Sequence, residues 1–126
     1  MQPRTDFPSR HDLARKRRAV AEMYAGAVAV LSPMAGVTDL VFRAVCREHG
    51  AAVTFCEFVS ADGVVHGNDA TRELMELGTD EHPVGIQLFG SDPENLATAA
   101  REAARLGPDL IDLNFGCPVK KVVKRN

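Results

Sequence analysis

The chain has 126 residues, with 15 Lys and Arg against 17 Asp and Glu for a formal net charge of −2, and is 45% hydrophobic, 6% aromatic and 25% charged. These proportions predict one soluble globular unit and exclude collagen-like, disordered and disulfide-scaffold classes. No run approaches the roughly 18 uninterrupted apolar residues of a membrane-spanning helix.

Ten of the 15 bases crowd the two ends: Arg4, Arg10, Arg15, Lys16, Arg17 and Arg18 at the start, Lys120, Lys121, Lys124 and Arg125 at the finish. The middle is therefore acidic, and a nucleic-acid partner would be gripped at the basic ends. Cys46, Cys56 and Cys117 are an odd set without a Cys-x-x-Cys pair, which argues against a disulfide framework and a zinc knuckle and for a reducing cytoplasm. The first residues lack the apolar core of a secretory signal.

In chain order, residues 11–24 are rich in helix formers, with Ser9 as N-cap and Gly26 as the stop, so a basic helix is expected there. Residues 27–31 are a continuous apolar run ended by Ser32-Pro33, the pattern of a strand buried on both faces. Thr38 is positioned to cap a helix with Leu40, Val41, Ala44 and Val45 on its inner face, ending at Gly50. Residues 52–58 predict a second strand, followed by a loop at Ala61-Asp62-Gly63 and a polar helical segment to Leu77. Residues 83–89 predict a third strand. Ser91 or Asp92 then caps a helix with Pro93 near its start and an inner stripe of Leu96, Ala99, Ala100, Ala103 and Ala104, ended by Gly107-Pro108. Residues 110–114 predict a fourth strand.

Alternation of strands and helices predicts an α/β fold with a parallel sheet, either a small doubly wound sheet or the first half of an eight-fold barrel. A closed barrel takes about 250 residues, so this chain is expected to be a truncated part of a longer one. Glycines, prolines and polar residues gather after each strand, at the end where parallel folds place ligands. Neither a dinucleotide fingerprint nor a P-loop is present. His11, His49, His66 and His82 lack ligand spacing, so no metal is expected. Cys46 and Cys56 read as packing thiols. Glu57 lies at the ligand end of the second strand without an assignable role.

Three ordered segments carry a specific resemblance. Leu31-Ser32-Pro33-Met34-Ala35-Gly36-Val37-Thr38-Asp39, Val84-Gly85-Ile86-Gln87-Leu88-Phe89-Gly90-Ser91-Asp92-Pro93 and Asp112-Leu113-Asn114-Phe115-Gly116-Cys117-Pro118-Val119-Lys120-Lys121-Val122 resemble the bacterial tRNA-dihydrouridine synthases. The resemblance divides the chain into a basic helical leader, residues 1–26, outside the match, and residues 27–126, the N-terminal part (about four βα units) of an FMN-binding TIM (β/α)8 barrel. It implies reduction of uridine to 5,6-dihydrouridine in tRNA with NADPH as reductant, by an enzyme of which these 126 residues alone would be inactive.

By the same resemblance, Pro33, Met34, Ala35 and Gln87 contact FMN, Asn114 faces the substrate base, and Cys117 is the proton donor. These assignments suit the residues' chemistry. Small apolar side chains allow close approach of a flat ring, with Gly36 giving room where a side chain would intrude. The Gln87 amide has a donor and an acceptor for the pyrimidine edge. A thiol with a pKa near 8.5 is mostly protonated at pH 7 and can quench the charge that a hydride leaves on the uracil ring. Lys120, Lys121, Lys124 and Arg125 would form part of a phosphate-holding rim around a flipped base. The alternatives are another FMN barrel oxidoreductase, such as a dihydroorotate dehydrogenase or ene-reductase, and a catalytically inactive fragment. Oligomeric state and the modified tRNA position stay open.

Overall fold

The computed structural model describes residues 9–116. Helix α1 (Arg10–Tyr24) starts as expected at Ser9, whose hydroxyl accepts from the Asp12 N–H, and none of its residues is buried. The apolar run that follows forms no full strand. It is joined to the body by a parallel bridge of Val30 to Val53, with the Leu31 N–H donating to the Val53 carbonyl and the Ala52 N–H to the Ala29 carbonyl. Only one edge of this segment is paired among the described residues, and Val28 is 97% exposed where burial on both faces was expected.

Helix α2 (Leu40–Glu48) departs from expectation in its cap and its inner face. Asp39 is the N-cap, its Oδ1 accepting from the Phe42 N–H at 2.8 Å. Thr38 is instead fully buried, its hydroxyl accepting from the Met34 N–H at 3.0 Å and donating to the Met34 carbonyl at 3.1 Å. Val41 and Val45 are exposed, and the buried residue of the helix is Arg43.

Arg43 is buried because it is fully engaged. Its Nε and Nη2 donate to Glu81 Oε1 and Oε2 at 2.5 and 2.9 Å, and Nη1 and Nη2 donate to the carbonyls of Thr38 and Glu76 at 2.7 Å each. Glu81 also accepts from the Thr54 hydroxyl and the Gly78 N–H, both at 3.1 Å. A charge can leave water only when paired and hydrogen-bonded in this way. The pair ties α2 to the second strand and to the chain entering the third.

The second strand is split into β1 (Thr54–Phe55) and β2 (Val59–Ser60), both parallel to β3 (Val84–Phe89). Phe55 pairs with Gly85 and Val59 with Leu88, so four steps along this strand oppose three along β3. The extra residue makes a bulge at residues 56–58, which bends the strand and re-aims Glu57. The expected loop at residues 61–63 is the start of α3 (Ala61–Val65), capped by the Ser60 hydroxyl. A short α4 (Asp69–Glu73), capped by Asn68, accounts for part of the expected polar helix.

Strand β3, helix α5 (Pro93–Arg105) and strand β4 (Leu110–Leu113) follow the sequence reading. Asp92 Oδ1 caps α5 by accepting from the N–H groups of Glu94 and Asn95, with Pro93 at the first position, where its missing N–H costs nothing. Ala99 and Ala103 are its buried residues. Ala104, counted in the stripe, is exposed.

All strand pairs are parallel, and spatial order follows chain order: residues 29–31, then β1 and β2 along one edge of β3, then β4 on the other. Side chains of successive strand residues point to opposite faces. Val84, Ile86 and Leu88 therefore share one face and form the core with Val59, Ala61, Val64, Ala99 and Ala103. Gly85, Gln87 and Phe89 take the other face. A Cβ at Gly85 would lie 2.4 Å from the Phe55 ring and 3.1 Å from Leu110, so glycine there makes room for both neighbours.

The ends of the strands differ in character. At their starts, Asp109 Oδ2 accepts from the Val84 N–H at 2.8 Å and meets His82 Nδ1 at 2.7 Å, while Arg47 donates to the carbonyls of His82 and Pro83. Those contacts lock the chain between elements. The exits carry the polar side chains singled out from the sequence.

Candidate active site

Beyond the Val30 bridge and Pro33, Met34 to Val37 form a tight turn. The Met34 carbonyl accepts from the N–H groups of Val37 and Thr38, and with the Thr38 hydroxyl this closes the turn. Pro33 is half-buried, while Met34 and Ala35 are exposed. Gly36 has φ +69°, in the left-handed region where a side chain is strained, and nothing lies within 4 Å of a Cβ built there. The turn's backbone geometry, rather than an intruding neighbour, accounts for glycine at this position.

Glu57, which the sequence left without a role, reaches across from the strand bulge and its Oε2 accepts from the Gly36 N–H at 2.5 Å. A charge-assisted bond of this kind is stronger than a neutral one. The carboxylate therefore anchors the turn to the neighbouring strand.

Gln87 and Asn114 come together. Asn114 Nδ2 donates to Gln87 Oε1 at 3.0 Å, and Gln87 Nε2 donates to Asp112 Oδ2 at 2.6 Å. Asn114 Oδ1 accepts from the Gly116 N–H at 3.0 Å, and the Asn114 N–H donates to the Leu88 carbonyl at 2.9 Å. The pairing of Gln87 with Asp112 in the β3 to β4 register builds this contact into the sheet. Sequence reasoning missed Asp112, although its place two residues before Asn114 puts both side chains on one face. Gln87, Asp112 and Asn114 are all half-buried.

The phenol of Tyr24, at the end of α1, is pushed above its usual value by partial loss of water first and then by the negative charge of Asp112. Beside Asn114 a largely apolar groove of about 570 Å³ runs between the start of α5 and residues 113–115, with Gly90, Leu96 and Phe115 in its walls. Cys117, Lys120, Lys121, Lys124 and Arg125 lie outside the described residues.

The other cysteines divide by environment. Cys56 is fully buried, its thiol 3.9 Å from the Glu76 carbonyl, and Cys46 is half-buried. Burial pushes the Cys56 thiol up to about 11 in spite of the opposing charge of Arg43. At pH 8 roughly a thousandth of it would be thiolate, the reactive form. Cys56 should therefore resist a thiol-alkylating reagent in the native protein and react once urea unfolds it. Native-state labelling at the rate of a free cysteine would contradict this.

Among the described residues, no group of three His, Cys, Asp or Glu is arranged to hold a metal, and no helix is long and apolar enough to cross a membrane.

Residues 30–126 match the family model described as dihydrouridine synthase. The chain is 45% identical over 96 residues to a probable tRNA-dihydrouridine synthase of Aquifex aeolicus, covering 75% of this chain and 30% of that protein. It is 43% identical over 97 residues to tRNA-dihydrouridine synthase B of Pseudomonas aeruginosa, covering 76% and 29%, and 41% identical over 104 residues to a probable tRNA-dihydrouridine synthase of Mycobacterium tuberculosis, covering 76% and 27%. The chain thus spans about 30% of the length of the curated relatives it matches. The match begins at the bridge between Val30 and Val53, leaves α1 outside, and takes in the turn, Gln87 and the Asn114 segment. The chain belongs to the dihydrouridine synthase family.

Proposed function

We propose that this chain supplies the first βα units of an FMN-binding barrel that reduces uridine to 5,6-dihydrouridine in tRNA at the expense of NADPH, in the cytoplasm. The observation that carries this reading is the meeting of Gln87 and Asn114 at 3.0 Å on one face of β3 and β4, in a sheet whose order follows the chain. Sequential parallel order is what a singly wound barrel requires, whereas a doubly wound sheet reverses direction at its switch point. Residues 27–126 form the barrel part and residues 1–26 a leader.

The residues fit a flavin. Met34 and Ala35 present small or flexible apolar surface on a turn held by Thr38 and Glu57. Gln87 has one amide hydrogen and one carbonyl lone pair uncommitted after its bonds to Asp112 and Asn114, enough to meet one donor and one acceptor of a ring edge. Pro33, Met34, Ala35 and Gln87 would hold FMN, which when bound and reduced supplies a hydride to C6 of the uracil ring.

Asn114 holds the base through its amide. Cys117, three residues on, delivers its thiol proton to C5 and so neutralises the charge developing there and on the adjacent carbonyl. Such a base must leave the tRNA stack, and Lys120, Lys121, Lys124 and Arg125 hold the phosphates around it.

The test is the full-length protein. It should purify yellow and release FMN on denaturation, and its reduced flavin should be reoxidised by undermodified tRNA faster than by small free pyrimidines that keep their C5=C6 double bond. A colourless protein that takes up no flavin on reconstitution would overturn the flavin reading. Preference for a small acceptor would move the protein to the dihydroorotate-dehydrogenase-like alternative.

A further inference from the structure

We propose that Asp112 is a positioning residue that fixes the orientation of the Gln87 amide, so that Gln87 offers a bound heteroaromatic ring its donor and its acceptor in a set order; this rests on the flavin reading above. A glutamine amide turned by 180° has nearly the same shape with donor and acceptor exchanged. A site that reads the edge of a ring needs that ambiguity removed before the ring arrives, because a turned amide sets N–H against N–H.

The contacts around Gln87 remove it. A carboxylate only accepts, so the Gln87 end at 2.6 Å from Asp112 Oδ2 must be the Nε2 donor. The Oε1 end then accepts from Asn114 Nδ2 at 3.0 Å, and Asn114 is held in turn because its Oδ1 accepts from the Gly116 N–H at 3.0 Å. Donation runs one way, from the Gly116 N–H through Asn114 and Gln87 to Asp112. A pure donor closes one end and a pure acceptor the other, so turning either amide would oppose like groups. Gln87 and Asp112 are register partners in β3 and β4, which places the orienting contact in the sheet itself.

Asp112→Asn tests this with little change of shape. The substituted side chain can either accept from Gln87 or donate to it, so position 112 no longer opposes the turned Gln87 amide, which is then disfavoured only by its contact with Asn114. FMN affinity in the full-length protein should fall by about tenfold, the scale of one charge-assisted hydrogen bond. In ¹⁵N spectra of the flavin-free protein, the sharp Gln87 side-chain NH₂ pair should broaden or double.

A second variant separates orientation from mere packing. Asp112→Asn combined with Gln87→Glu reverses the pair, the new amide donating to the new carboxylate while Asn114 still donates to its other oxygen. Thermal stability should recover toward wild type, but FMN affinity should stay at least about tenfold weak, since position 87 then offers only acceptors.

Wild-type affinity and an unchanged Gln87 signal in Asp112→Asn would overturn the proposal, as would a double variant that regains affinity together with stability. A wild-type protein that holds no flavin would fell the flavin reading, and the amide signals alone would then decide whether Asp112 sets the orientation.

Discussion

Arg43→Ala in the full-length protein is expected to lower the free energy of unfolding by about 3–5 kcal/mol, as removal of one partner from a buried ion pair generally does. Arg43 and Glu81 are 2% and 5% exposed, so the remaining carboxylate would have no water to turn to. The change would also remove the Arg43 donor from the carbonyls of Thr38 and Glu76. Against a typical total of about 5–15 kcal/mol this is a large loss, read as a shift in the urea midpoint. Glu81→Gln should cost less, because an amide oxygen can still accept from the guanidinium.

The same pair sets an acid limit. Burial pushes the Glu81 carboxyl up, but the hydrogen bonds from Arg43, the Gly78 N–H and the Thr54 hydroxyl, together with the charge of Arg43, outweigh it and hold the group below its usual range. A carboxyl whose folded value is lowered contributes stability above its unfolded pKa, near 4.3, and loses it as pH falls through the folded value. The wild-type urea midpoint should drop over that acid range, and Glu81→Gln should lack this part of the fall. An unfolding free energy of Arg43→Ala within about 0.5 kcal/mol of wild type would mean that the pair is no tie between α2 and the sheet.

Cys117→Ala carries the largest expected effect on chemistry. General acid catalysis is worth about 10²- to 10⁴-fold, and the rate at which undermodified tRNA oxidises the pre-reduced flavin should fall on that scale while reduction by NADPH persists. Cys117→Ser should be impaired similarly, since a hydroxyl is a far weaker acid than a thiol. Cys56→Ser should instead lower stability, because its thiol is fully buried among the core residues. Single-turnover mixing of each variant distinguishes these outcomes. A wild-type rate in Cys117→Ala, with dihydrouridine formed, would reduce the cysteine to a turn residue.

Local chemistry was legible where a single residue type decides it. Pro93 after Asp92 announced the start of α5, and the run at residues 83–89 announced β3, which spans Val84–Phe89. The inner face of α2 was misread because Arg43, a charge at helical spacing, looks solvated unless its partner 38 residues away is known. The bulge at residues 56–58 escaped for a related reason: strand register is a property of the pair, and nothing in one strand says that its neighbour is a residue shorter.

Within the candidate site, Pro33, Met34, Ala35, Gln87, Asn114 and Cys117 were assigned through motif resemblance, and Gln87 and Asn114 are brought into contact by the sheet. Asp112 was given no role, and Glu57 was placed at the ligand end of its strand but given none, because neither residue's own strand shows what its carboxylate accepts from. Their importance rests on what each accepts from: the Gln87 amide in one case, the Gly36 backbone in the other.

The most direct measurement is mass spectrometry of nucleosides from undermodified tRNA incubated with the full-length protein, FMN and NADPH. The account predicts 5,6-dihydrouridine, two mass units above uridine, formed in proportion to the NADPH consumed and reduced about 10²-fold or more in Cys117→Ala. Consumption of NADPH with no dihydrouridine in any tRNA would contradict it.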